Sequence, residues 1–381
     1  MCGNPHRQNR SGAVAVFALC MMVAMMVFIA LAVDIGYLVY VDTELQRSAD
    51  AAAIAATWRL VEQDALGAPL TPDAAEDIRT TANQFAALNP VAKSTVALTA
   101  EDTQIGNLAY PFSTSSTMTF TDPTHFNAVK VRVRKTSGAD GNGTVPLFFA
   151  RILGVDGCDM QREATAAFID SFGGFRAGTD GRNLDILPFA LDKTSWDDLL
   201  AGGGNDDYRW DADAKCVRNG SDGVREVNLY PQGTGSPGNR GTVDIGPSNN
   251  STADISRQIR TGISASDLAH LGGKLEFDQY GKLYLNGDTG ISAGVKDDLA
   301  SILGKTRIIP IFDAVSGPGN NATYTIVAFA GVRIMYVKLT GSPSQKQVMI
   351  QPCRVVSRGA VPGSGPTPAS NFVYSPVWLV R

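Results

Sequence analysis

From Gly12 to Val33 the chain reads GAVAVFALCMMVAMMVFIALAV, with neither a charge nor a proline. No other feature limits the fold as strongly. A helix of this composition is apolar on every side, so it cannot be the one-faced surface helix of an ordinary globular protein. At 1.5 Å per residue, residues 13–33 reach roughly 31 Å, the thickness of a bilayer's hydrocarbon core. Arg7 and Arg10 precede the run, so a secretory signal peptide competes with a membrane anchor. A signal peptide carries an apolar stretch of about 7–15 residues and then a small-residue cleavage site. Here the run is longer and passes into DIGYLVYVDTELQRSADAAAIAATWRLVEQ, which continues as helix. An uncleaved signal anchor over 12–33 is the expectation. Cys20 does not read as a lipidation site, because apolar residues continue well past it. Asp34, Asp42 and Glu44 follow the span with only Arg47 against them. The positive-inside bias therefore puts the leader, 1–11, in the cytoplasm and the bulk of the chain outside, on a bacterial inner membrane crossed once.

Past the span, Leu38, Val41, Leu45, Ala49, Ala52, Ala56 and Leu60 recur every three or four residues, the spacing of one helix face. The segment 34–66 reads as a helical stalk whose small alanines allow close approach of another element. That element is either a partner helix or the protein's own domain, and the pattern does not choose between them.

The rest predicts an α+β chain: a helical stalk, then β-rich extracytoplasmic domains. Pro69 and Pro72 interrupt the first helix, and Thr71-Pro-Asp-Ala-Ala-Glu76 opens a second, with Thr71 as cap and Pro72 at its first position. Ile78, Ala82, Phe85 and Leu88 would form its apolar face. Ala128-Val-Lys-Val-Arg-Val-Arg-Lys135 alternates apolar and basic residues as a half-buried strand. Its Lys130, Arg132 and Arg134 read as a solvated face rather than an anion site. Together these elements predict a small α+β domain over 67–172. A β-rich domain is expected over 173–356, with strands near 184–191, 307–312, 324–339 and 347–356 and a short helix over 292–303. Residues 197–250 read as long loops or a surface elaboration, Gly331 as a bend or bulge, and 357–381 as a Gly/Pro/Ser linker ending in a closing strand, 371–381.

Candidate chemistry is sparse. The net charge is −4, spread without a basic face, so no nucleic-acid partner is expected. His6, His125 and His270 stand apart, offering no scaffold for metal or Ser-His chemistry. Cys158, Cys216 and Cys353 are an odd set at distant spacings, leaving one disulfide or three free thiols open. Asp206, Asp207, Asp211 and Asp213 form polar turns or ligate calcium, though without the twelve-residue loop that calcium hands use. No catalytic residue, cofactor or resident metal is expected, and the chain does not read as an enzyme.

Two blocks carry a family resemblance. The first is the basic leader ending Arg10-Ser-Gly-Ala-Val-Ala-Val, the span, Ala32-Val33-Asp34-Ile-Gly-Tyr37, and Leu45-Gln46-Arg47-Ser48-Ala49-Asp50-Ala-Ala-Ala. The second is Val145-Pro-Leu-Phe-Phe-Ala-Arg-Ile-Leu-Gly154 with Arg162-Glu-Ala-Thr-Ala-Ala167. Over roughly the first 170 residues the chain resembles the TadE/TadG type of Flp (tight-adherence) pilus-assembly proteins. Gly238-Asn-Arg-Gly-Thr-Val-Asp-Ile-Gly246 and Arg307-Ile-Ile-Pro-Ile-Phe-Asp313 are similar, more loosely, to parts of larger TadG-like chains. There are two departures. A cleaved prepilin would carry glutamate where Phe17 stands, and neither Asp192-Lys-Thr-Ser195 nor Asp313-Ala-Val-Ser-Gly317 has the spacing of a von Willebrand A metal motif.

The resemblance implies a membrane-anchored, non-catalytic accessory or assembly component of a Flp pilus or related secretion apparatus. A cleaved minor pseudopilin, a surface adhesin and an envelope hydrolase using the Asp-rich region are the alternatives. It also implies that Asp34, Gly36, Leu45, Gln46, Ala49, Asp50, Ala52 and Ala53 serve interaction. The expected partners are membrane lipid and other pilus-assembly or envelope proteins met through the stalk. Homo-oligomerisation stays open.

Overall fold

The computed structural model describes residues 11–63, 69–109, 111, 116–138, 140–169, 172–178, 181–230, 240–247, 251–288, 291–317, 322–362 and 371–380. Arg7, Arg10, Cys2 and His6 of the leader, the start of the 238–246 motif and most of the Gly/Pro/Ser linker lie outside them. The chain forms two compact units, Met1–Ala167 with Val377–Arg381, and Phe168–Pro376. The first unit ends its main run at Ala167, and Val377–Arg381 belong to it as well.

In the first unit, α1 (Ser11–Gln63) is one unbroken helix of 53 residues, on the order of 80 Å long at 1.5 Å per residue. Its two halves have opposite surroundings. Over 14–33 every large apolar side chain is between 45% and 72% exposed. Beyond Asp34, the stripe Val41, Leu45, Ala49, Ala52, Ala56 and Leu60 is buried. The stripe docks on the protein's own unit, so the second of the two sequence readings holds.

Its first support is α2 (Pro72–Ala87). The Thr71 hydroxyl accepts from the Ala74 amide at 3.2 Å, and Pro72 takes the first helical position, where its missing N–H costs nothing. The buried face of α2 is Ile78, Ala82 and Ala86. Phe85 and Leu88, expected on that face, are 41% and 73% exposed. Small residues explain the choice: alanines on α1 need alanines opposite for the backbones to approach, and a phenylalanine there would hold the helices apart. Ser48 Oγ donates to the Ala86 carbonyl at 3.3 Å and Arg59 Nε to Asp77 at 2.5 Å, so the helices run antiparallel.

The second support is an antiparallel sheet ordered β1 (Thr103–Gly106), β2 (Ala128–Lys135), β3 (Met160–Ala167) and the terminal strand Trp378–Leu379. The alternation in β2 is realised: Val129, Val131 and Val133 are buried, and the basic residues alternate with them. Those cations are not simply solvated. Lys130 meets Glu163 at 2.6 Å, and Arg132 and Arg134 converge on Asp102. Thr57 Oγ1 donates to the Ala166 carbonyl at 3.2 Å, tying α1 to β3.

The second unit is built on a closed barrel of five strands: β4 (Phe189–Asp192), β5 (Arg240–Val243), β6 (Leu283–Asp288), β7 (Thr306–Ser316) and β8 (Ala322–Lys338). Around the ring the order is β8-β6-β5-β4-β7 and back to β8, with only β4–β7 parallel. The 17 residues of β8 allow closure: β7 pairs along one edge, while the first half of β8 pairs with β6 and its end with β9 (Gln347–Pro352) along the other. Trp196, Phe189, Leu191, Ile309, Ile311, Ile334 and Phe372 belong to the buried core.

The span 197–250, expected as loops, contains more order than its Gly/Asp/Asn content signals. It holds the end of the helix Lys193–Leu200, the hairpin Tyr208–Asp211 with Cys216–Asn219, and the barrel strand β5. Gly331 is not a bulge. It sits inside an unbroken strand where a Cβ would lie 2.4 Å from the Cys353 carbonyl oxygen and 2.5 Å from that of Phe372. Close backbone approach is its reason. Residues 371–381 are not one closing strand either: Val373–Tyr374 pairs with Val355–Val356 in the second unit, and Trp378–Leu379 with β3 in the first.

Candidate functional site

Asp34 is the first charged residue after the apolar run, and its side chain turns back into the first unit, 4% exposed. Oδ1 accepts from the Phe148 amide at 2.9 Å, and Oδ2 accepts from those of Phe149 and Ala150 at 3.1 and 2.8 Å. These amides open the short 3₁₀ turn Ala150–Leu153, whose own preceding residue, Phe149, has no side chain able to cap it. The cap comes from 114 to 116 positions upstream. Burial alone would raise the Asp34 carboxyl, but the Ala150, Phe148 and Phe149 amides outweigh it and hold it below its ordinary value. An aromatic group completes the contact: the Tyr37 ring meets Phe148 edge-on at 4.9 Å and stacks on Tyr40 at 6.4 Å.

The remaining residues of the block divide. Leu45, Ala49, Ala52 and Ala53 have no exposed surface and fill the seam of α1 with α2 and the sheet. Gln46 Nε2 donates to Asp50 Oδ1 at 2.7 Å along the helix. Gly36 faces open space, with no atom within 4 Å of where a Cβ would stand. Nothing in the structure explains a glycine there. Sequence reasoning did not single out Glu44, which is buried and accepts from the Ala92 amide at 2.8 Å. That bond steadies a tight turn in which Ala92 and Lys93 both have positive φ, 50° and 60°. Asp42 likewise pairs with Arg162 at 2.8 Å. Four carboxyl groups of α1 or its partners, Asp34, Asp42, Glu44 and Asp77, thus fasten the lower helix to its unit.

The other candidates are occupied by local structure. Asp192 caps the helix Lys193–Leu200, accepting from the Ser195 amide at 2.8 Å, which accounts for the Asp192-Lys-Thr-Ser195 string. Asp206 accepts from the Asp222 and Gly223 amides, both at 3.0 Å, and Asp211 from the Ala214 amide and Arg218. Among the described residues Cys20, Cys158, Cys216 and Cys353 are free thiols.

Two family matches cover this arrangement. Residues 12–64 match the Flp pilus-assembly TadE/G-like family, and residues 48–166 match the Tad-like Flp pilus-assembly family. The N-terminal region is TadE/TadG-like. No curated protein and no solved structure matches the chain. The TadE/TadG-like region coincides with the first unit up to its last long strand, while the barrel unit lies outside both matched segments. The Asp34 contact joins the two matched segments, since its carboxylate lies in one and its three donors in the other.

Removing the carboxylate tests this contact. In Asp34→Ala, the Phe148, Phe149 and Ala150 amides are expected to exchange with deuterated water on the order of tenfold faster, or more, having lost charge-assisted acceptors. The Val129 and Val131 amides in β2 should keep their protection.

Proposed function

We propose that this TadE/TadG-like chain is a non-catalytic accessory component of Flp pilus assembly, anchored in the bacterial inner membrane by residues 12–33. The N-terminus lies in the cytoplasm and both compact units lie outside it. One observation carries the reading: an apolar helix exposed over residues 14–33 continues without a break into a packed TadE/TadG-like unit. About twenty apolar residues left in water would be a severe aggregation liability, whereas a bilayer removes the cost. The alanine seam supports a narrower view of partners. The buried face of α1 is used by the protein's own α2 and sheet, so pilus or envelope proteins must meet other surfaces.

The test is a full-length chain with alkaline phosphatase fused at the C-terminus. The expected outcome is an active reporter that stays with membranes after carbonate extraction, and an intact mass that retains the leader. A soluble, cytosolic product sinks the anchoring reading. A mature chain beginning at Ala13 replaces the accessory component with a processed pilin-like subunit.

A further inference from the structure

We propose that the segment 148–155 is an interfacial foot, lying in the headgroup layer of the same bilayer that α1 crosses. This rests on the anchoring reading and goes beyond it by assigning a second membrane contact.

The segment reads Phe148-Phe-Ala-Arg-Ile-Leu-Gly-Val155. Ile152 and Leu153 are each 82% exposed, and Phe148, Phe149 and Val155 are exposed as well. Five large apolar side chains within eight residues of a surface turn need a cover, since a patch of this kind is costly in water. Its position identifies the cover. The backbone of Phe148, Phe149 and Ala150 is fastened to Asp34, one residue past the end of the apolar run. The turn is therefore held beside the end of the uninterrupted apolar run, where Ile35, Val39 and Tyr40 are still exposed, and Ile152 and Leu153 follow within three residues of the fastened amides.

The neighbouring chemistry suits a headgroup layer. Tyr37, Tyr40 and Phe148 form a contiguous aromatic group at this level, as interfacial aromatic belts do. Arg151 points its guanidinium outward, 61% exposed, 3.6 Å from Asp156, which is itself 86% exposed and free to be displaced by a lipid phosphate. An amphipathic turn of Phe, Ile and Leu beside an arginine can lay its apolar groups at the acyl boundary while the cation stays among phosphates. Continuity with the bare span favours lipid over a protein partner.

The experiment uses the full chain in vesicles of phosphatidylethanolamine and phosphatidylglycerol, with the native cysteines changed to serine. Nitroxide labels are placed singly through I152C, L153C, M25C and E76C, and accessibility to oxygen and to a water-soluble nickel chelate is measured. Met25 lies within the span and Glu76 on exposed α2. The expected result is an oxygen-to-nickel ratio several-fold higher at 152 and 153 than at 76, approaching that at 25. If 25 reads as lipid while 152 and 153 read as water, the foot is refuted and the anchor stands. If 25 also reads as water, the anchoring reading fails and the foot with it. Shielding of 152 and 153 from both reagents overturns the proposal in favour of a protein cover.

Discussion

Ala49→Leu combined with Ala52→Leu is expected to unfold the first compact unit under conditions where the parent chain keeps it folded. Both side chains have no exposed surface, and both lie where α1 approaches α2 and β3. Leucine adds three carbons at a position with room for none, and overpacking of this kind costs about 1–3 kcal/mol per site. The sites are a turn apart, so the costs will not add strictly, and a combined loss of about 3–5 kcal/mol is expected. Against a typical domain stability of about 5–15 kcal/mol, that is a large fraction. Hydrogen exchange in α2 and β2, followed on the full chain in detergent micelles, reads the effect. Arg47→Ala, at an exposed position of the same helix, should stay within about 0.5 kcal/mol. If the double variant keeps its protection and loses only association with other pilus proteins, the seam is not the interior of this unit.

The second large effect belongs to Asp102→Ala. The Asp102 side chain is 2% exposed. Arg134 grips it with Nη2 at 2.7 Å from Oδ2 and Nε at 2.7 Å from Oδ1, and the Thr99 amide and hydroxyl donate to Oδ2 at 3.0 and 2.8 Å. Alanine leaves Arg132 and Arg134 side by side on one strand without the carboxylate they share, with only the weaker pull of Asp140 and Glu101 on Arg134. Removing one member of a buried pair costs about 3–5 kcal/mol, and the partial exposure of both arginines lowers that to about 2–3 kcal/mol. The pH dependence has a definite sign. Burial pushes the Asp102 carboxyl up, but Arg134 and Thr99 outweigh it and hold it below the ordinary carboxylate value. Its contribution is therefore present in full above about pH 4, the unfolded value, and is lost as pH falls through the lower folded one. Melting curves of parent and variant should differ most near neutrality and converge in strong acid. A difference that grows on acidification would contradict the assignment.

What the chain declared locally, the structure kept. Thr71 and Pro72 start α2 because capping chemistry is written within four residues, and the valines of β2 alternate because a strand has a period of two. The long apolar helix declared itself through composition alone. What depended on distant partners was not legible. Nothing near Asp34 signals that its acceptors will be filled by amides more than a hundred positions away, although both blocks stood out separately. Phe85 and Leu88 fit a helical period as well as Ala82 and Ala86 do, and only the alanines across the seam decide which face closes. The barrel strand β5 hides in a glycine-rich stretch because a four-residue strand enclosed by neighbours needs little side-chain bulk. The cations of β2 looked like a solvent face because Asp102 reaches them from another part of the chain.

The return of Trp378 and Leu379 to β3 has a mechanical consequence. The barrel unit leaves the first unit after Ala167 and re-enters at Val377, with Trp378 directly opposite Ala167 in register. Any tension exerted on the barrel would arrive at the same end of two neighbouring antiparallel strands. Hydrogen bonds loaded that way open one after another rather than all at once. The two-residue strand would peel first, paying out slack while the longer β3, braced by β2, keeps its hold on the rest of its sheet.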